Sequence, residues 1–127
     1  MRKFIHDQYT EDEANVISFG VSIGKSCKEC LDSLRVSNWF VEFFDLDNGR
    51  DLLQNVKVFD KGDVKISDYS RLTKITDEVK EILAKGKFPL MLSRCHLSSL
   101  YSLQAFDKDT KLIVFDAHCD LKNEFID

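Results

Sequence analysis

The chain is short of proline and glycine, with one and five respectively in 127 residues. No Pro/Ser linker, internal repeat or low-complexity run divides it, so a single domain over 1–127 is expected, opening with a polar arm at 1–14. No apolar stretch approaches the roughly 20 residues that cross a bilayer as a helix. The opening Met1-Arg2-Lys3-Phe4-Ile5-His6-Asp7 lacks the apolar core of a signal peptide. A cytoplasmic protein without membrane contact is therefore expected.

Basic excess is absent too. Eighteen Lys and Arg stand against 22 Asp and Glu, for a net charge of -4, and no arginine-rich run appears. Nucleic acid is a poor partner for such a surface. The four cysteines, Cys27, Cys30, Cys95 and Cys119, fit free thiols in a reducing compartment. Cys27-Lys28-Glu29-Cys30 is a lone C-x-x-C: structural zinc wants a second pair, and no Pro or Trp lies inside it as in thioredoxin-type motifs. There is no glycine-rich phosphate loop and no G-x-S-x-G elbow, and Ser98 and Ser99 neighbour His96 only by chance spacing.

What is present is ordinary for a soluble globular protein: 43% hydrophobic and 31% charged residues. Residues 15–24 read as a first strand, with Val16, Ile17, Phe19, Val21 and Ile23. A helix over 27–40 would use Leu31, Leu34 and Trp39 as its apolar face. After a short apolar piece at 41–44 and a turn cluster at 45–49, Val56, Val58 and Phe59 predict a second strand, closed by a turn at 60–63. The clearest helix spans 68–85, where Leu72, Ile75, Val79, Ile82 and Leu83 recur at helical spacing. Ser67 or Asp68 can cap it, and Gly86 suits the left-handed residue beyond its end. Residues 88–92 predict a strand, and 98–106 a shorter helix packing Leu100, Leu103 and Phe106. Leu112-Ile113-Val114-Phe115, apolar on both faces, predicts an interior strand. Strands alternating with helices predict an α/β fold, a parallel sheet with helices on both faces.

In such sheets ligands bind beyond the carboxyl ends of the strands. Two polar bursts follow strands there: Ser93-Arg94-Cys95-His96 and Asp116-Ala117-His118-Cys119-Asp120. In extended backbone Asp116, His118 and Asp120 would face the same way. Burying three such groups is costly unless a cation binds them. His96 joins them if the two strands are neighbours, and two imidazoles with two carboxylates suit Mn²⁺, Fe²⁺ or Zn²⁺ better than Ca²⁺. The bland alternative is a solvated loop in which His118 bonds a neighbouring carboxylate. A zinc site built from His96, His118 and Cys95 or Cys119 is a rival.

Residues 88–98 and 112–121 together resemble the ureohydrolase superfamily of arginases and agmatinases. Its members carry Gly-Gly-(Asp/Glu)-His-Ser after one strand and Asp-Ala-His-x-Asp after the next. Residues 116–125 are most similar to the corresponding segment of microbial agmatinases. Phe59-Asp60-Lys61-Gly62-Asp63-Val64 resembles their Asp-x-Gly-Asp-Val strand end, and Leu34-Arg35 falls where the family has Ile-Arg. The resemblance implies a three-layer α/β/α arginase-like fold, here incomplete, and a centre of two Mn²⁺ ions. Through a metal-bound hydroxide, such a centre would hydrolyse a guanidino group to urea and an amine. Agmatine to putrescine is the agmatinase case, a step of polyamine biosynthesis; arginine is another possible substrate. By motif, His96, Asp116, His118 and Asp120 would be the metal ligands.

The departures from the pattern are specific. Ser93, Arg94 and Cys95 stand where the family has two glycines and an acid, and Leu97 where it has serine. The glycine-rich loop expected between Gly24 and Leu31 is replaced by a stretch holding Cys27 and Cys30. No Ser-x-Asp-x-Asp follows Asp120, so the second pair of metal aspartates is missing from this sequence. The expectation is a ureohydrolase part that is inactive alone, or a non-catalytic module that pairs with a complementary chain or a second copy.

Overall fold

The computed structural model describes residues 9–38, 43–51 and 53–117. Three parallel strands form the main sheet in the order β4-β1-β5: β1 is Val16–Ile23, β4 is Val58–Ile66 and β5 is Phe88–Ser93. Helix α1, Gly24–Ser37, follows β1; α2, Thr73–Ala84, joins β4 to β5; and α3, Leu97–Leu103, follows β5. Two short strands, β2 (Phe44–Asp45) and β3 (Arg50–Asp51), make a separate antiparallel hairpin. Among these residues, no helix is long and apolar enough to cross a membrane.

The two faces of β1 do different work. Ile17, Phe19 and Val21 point one way and are wholly buried against Leu72, Ile75, Val79 and Ile82 of the α2 region. That face of α2 follows from residues three and four apart sharing one side of a helix. On the opposite face, Ser18, Gly20 and Ser22 are small, and α1 comes close: a Cβ on Gly20 would sit 2.8 Å from Leu31. Helices therefore cover both faces of the sheet, as alternating strands and helices predict. Thr76 of α2 donates its hydroxyl to the Tyr101 carbonyl at 2.7 Å, which seats α3 beside α2.

Several expectations are corrected. Helix α1 begins at Gly24, three residues early, with Ile23 as its N-cap. Its buried stripe is Leu31 and Arg35, one turn apart, while Leu34 is exposed; Trp39 and residues 41–42 lie outside the described residues. The 68–85 helix is split into a 3₁₀ turn, Tyr69–Arg71, and then α2. Asp68 does cap the turn, accepting from the Ser70 N–H at 3.0 Å, and Gly86 has φ 68°. Helix α3 is shorter than expected and leaves Leu100 exposed. Residues 60–63 do not close a strand: β4 runs through them to Ile66.

The predicted interior strand at 112–115 is the largest correction. No ladder forms there, and Leu112, Ile113, Val114 and Phe115 are 59%, 76%, 58% and 96% exposed. A strand apolar on both faces needs a layer on each side, and the described residues supply neither. β5, whose residues are half-buried or exposed, has β1 as its single ladder partner among the described residues.

Residues 9–14 are tied to the end of α2. The Lys87 ammonium donates to the Asp12 and Ala14 carbonyls at 3.0 and 2.9 Å. Lys85 bonds Glu11 at 2.7 Å and Glu81 at 2.8 Å.

Candidate functional site

Because the three strands are parallel and in register, Ile23, Ile66 and Ser93 end on one rim. The expected chemistry belongs there. The loop after β5 is organised by Ser93, whose Oγ donates to Ser98 Oγ at 2.8 Å and accepts the Cys95 N–H at 3.1 Å. Ser98 is fully buried, so its role is to anchor the loop. His96 is the N-cap residue of α3 and makes no side-chain cap there.

There His96 Nε2 lies 3.6 Å from Asp116 Oδ2; the imidazole is 69% exposed and the carboxylate 27%. Two donors bound to one ion at about 2.1 Å stand about 3.0–3.4 Å apart in octahedral or tetrahedral geometry. The pair is thus spaced to share a borderline cation with small adjustment. The other two expected ligands, His118 and Asp120, and the rival Cys119 lie outside the described residues. Among the described residues, no group of three or more His, Cys, Asp or Glu could hold a metal. Cys27, Cys30 and Cys95 are free thiols, half-buried.

A second polar cluster was not legible as a cluster in the sequence. Arg35 is buried and grips two carboxylates: Nε donates to Asp60 Oδ2 at 2.8 Å, Nη2 to Asp60 Oδ1 at 3.2 Å, and Nη1 lies 2.7 Å from Asp63 Oδ1. The reason is a bulge. Ser18 pairs with Asp60 and Gly20 with Asp63, so three steps of β4 oppose two of β1. Gly62, at φ 92°, absorbs the extra residue, a conformation that favours glycine. Without the bulge, residues three apart would face opposite sides of the sheet; with it, both acids face α1. Burial alone would push the guanidinium pKa down, but Asp60 and Asp63 outweigh it and hold it above its ordinary value. The available signal was an arginine one turn from Leu31 on a helix's buried stripe, because a buried cation requires partners.

The sequence and the fold both match known proteins. The family model described as "Arginase family" matches residues 17–127. The chain belongs to the arginase family. An agmatinase from Bacillus subtilis is 35% identical over 79 residues, 58% of this chain and 27% of that protein. The agmatine ureohydrolase of Thermoplasma volcanium superposes on 98% of this chain with a TM-score of 0.83 at 25% identity, over 45% of its own length. Trypanosoma cruzi formiminoglutamase, solved with Mn²⁺, shares the fold, with a TM-score of 0.64 at 21% identity over 81% of this chain and 39% of its own. This arginase-family chain thus spans about a quarter of the length of the curated relatives it matches, and under half of these solved structures. The α/β architecture with a parallel sheet is the family's, represented here by a small sheet of three strands.

Proposed function

We propose that this chain carries part of a manganese-dependent ureohydrolase centre, which releases urea and an amine from a guanidino compound. The observation that carries the proposal is the approach of His96 to Asp116 on the carboxyl rim, at 3.6 Å, in a chain of this family. His96, Asp116, His118 and Asp120 would hold the metal. When bound, such ions supply Lewis acidity and make water nucleophilic near neutral pH. The chemistry calls for that help, because resonance over three nitrogens makes a guanidinium carbon a weak electrophile.

The chain's own residues would position and orient. Ser93 and Ser98 fix the loop that presents His96, and the partial burial of Asp116 strengthens its pull on a cation. Agmatine is the guanidino compound that the relatives' names suggest. Four ligands are too few to balance two ions, so the isolated chain is expected to be inactive. A cytoplasmic location and a place in polyamine biosynthesis belong to the same proposal.

The exposed run at 112–115 favours a second reading alongside it, that the chain acts with a complementary chain or a second copy covering that surface.

The test is metal titration of the purified chain, followed by urea assay with agmatine and Mn²⁺. Binding of Mn²⁺ weakened at least tenfold by His96→Ala and by Asp116→Asn is expected, with no urea above background. No Mn²⁺ binding would defeat the proposal. Sustained turnover lost in Asp116→Asn would instead overturn the expected inactivity.

A further inference from the structure

We propose that Cys27 and Cys30 form a two-coordinate site for a soft monovalent ion of the Cu(I) class. The ureohydrolase reading uses neither thiol, so the two proposals are independent. Both cysteines belong to α1, as its fourth and seventh residues. Side chains three apart in a helix share a face. Both thiols are free and half-buried, whereas Lys25, Ser26, Lys28 and Glu29 around them are exposed. The pair therefore sits on the boundary between solvent and the buried stripe that begins at Leu31, sheltered yet reachable.

Spacing selects an ion over a disulfide. A relaxed disulfide needs Cβ atoms about 3.5–4.5 Å apart, and helical positions three apart hold them at about 5–6 Å. Two thiolates in line across an ion stand farther apart: with a metal–sulfur bond of about 2.3 Å, the sulfurs can be about 4.6 Å from each other. A regular helix delivers that separation without unwinding.

Ligand count selects the ion. Structural zinc wants four ligands, and among the described residues no group of three or more His, Cys, Asp or Glu could hold a metal. Soft thiolates favour Cu(I), which two ligands in line satisfy. Each thiol releases its proton to solvent as the ion binds. The loaded site then carries one net negative charge, two thiolates against one cation. That charge is well placed. Helix α1 has no acid in its first turn, its dipole favours an anion near its start, and the Arg94 guanidinium reaches the Ser26 hydroxyl beside Cys27.

The experiment is anaerobic titration of the full, reduced chain with Cu(I) against a chromogenic chelator. One ion per chain should bind, and X-ray absorption should show two sulfur neighbours and no nitrogen. Cys27→Ser and Cys30→Ser should each weaken binding by more than about a hundredfold, beyond the 10–100-fold typical of changes outside the ligand set. Cys95→Ser should leave binding unchanged, and so should excess Mn²⁺, which prefers oxygen donors. Circular dichroism melts should show the fold retained in each variant, and the absorption spectrum of the unaltered chain decides the matter where a variant fails to fold. Cu(I) left on the chelator, binding that survives either Cys27→Ser or Cys30→Ser, or binding lost in Cys95→Ser overturns the inference. A third ligand in the absorption spectrum, or displacement of Cu(I) by Mn²⁺, overturns it as well. Each of these results leaves the proposed manganese centre to its own titration.

Discussion

Strand β1 and residues 112–115 are both apolar runs, yet they end in opposite environments. β1 has a ladder partner on each side and a helix over each face, and Ile17, Phe19 and Val21 are completely buried. Leu112 to Phe115 have no ladder and are more than half exposed. Covering a large apolar side chain contributes about 1.5–3 kcal/mol, a gain that β1 realises repeatedly and 112–115 does not. Apolar composition nominates a segment for the core; neighbours on both sides decide whether it enters. The polar groups divide in the same way. Arg35, Asp60 and Asp63 are locked inside beside β1, whereas His96 and Asp116 stand on the rim next to the exposed run.

The sharpest way to break the β1 side is Arg35→Met. It leaves two buried carboxylates without their cation and should cost about 3–5 kcal/mol in urea unfolding. A loss under 1 kcal/mol would mean that water reaches the cluster. Close behind comes Ile75→Ala, expected to cost about 2–5 kcal/mol because Ile75 is fully buried against β1. Its counterpart Ile113→Ser should change stability by less than about 0.5 kcal/mol, since that side chain is mostly in solvent. If a partner covers 112–115, the same substitution should weaken association in sedimentation experiments, which would sharpen the contrast.

Gly20→Ala probes the closeness of α1 to the sheet. A Cβ there would lie 2.3 Å from Asp63 Oδ1, and Arg35 holds that carboxylate in place. A loss of about 1–3 kcal/mol in thermal unfolding is expected.

A further effect is electrostatic and lies at the surface. Lys85 is held above its ordinary pKa by hydrogen bonds to Glu11 and Glu81, and both acids are held below theirs, chiefly by Lys85. The lysine's contribution is complete below about pH 10.4 and is lost as pH rises through its raised folded value. The acids' contribution is complete above about pH 4.3 and fades as pH falls through their lowered folded values. Lys85→Met should therefore flatten both ends of the profile of melting temperature against pH, and 1 M salt should mask the difference.

Much of this was legible in one dimension. Period-two alternation located β1, the three-and-four spacing of Ile75, Val79 and Ile82 located α2, and Gly86 marked its end. The order of segments and the 116–125 motif carried the family. By composition the Asp60–Asp63 pair read as a turn, because an acid-Lys-Gly-acid tetrad has turn composition whether or not a strand runs through it. Its service to Arg35 depends on a bulge, and a bulge is a mismatch between two strands that neither contains alone.

The sequence by itself determined which residues could be strand, helix or ligand, since those choices follow from side-chain chemistry and local backbone preference. The tertiary structure alone decided that Asp60 and Asp63 converge on Arg35, that His96 comes within 3.6 Å of Asp116, and that 112–115 stays outside. Convergence and burial depend on segments far apart in the chain, and the pairing of β1 with β4 and β5 is what sets their relative positions.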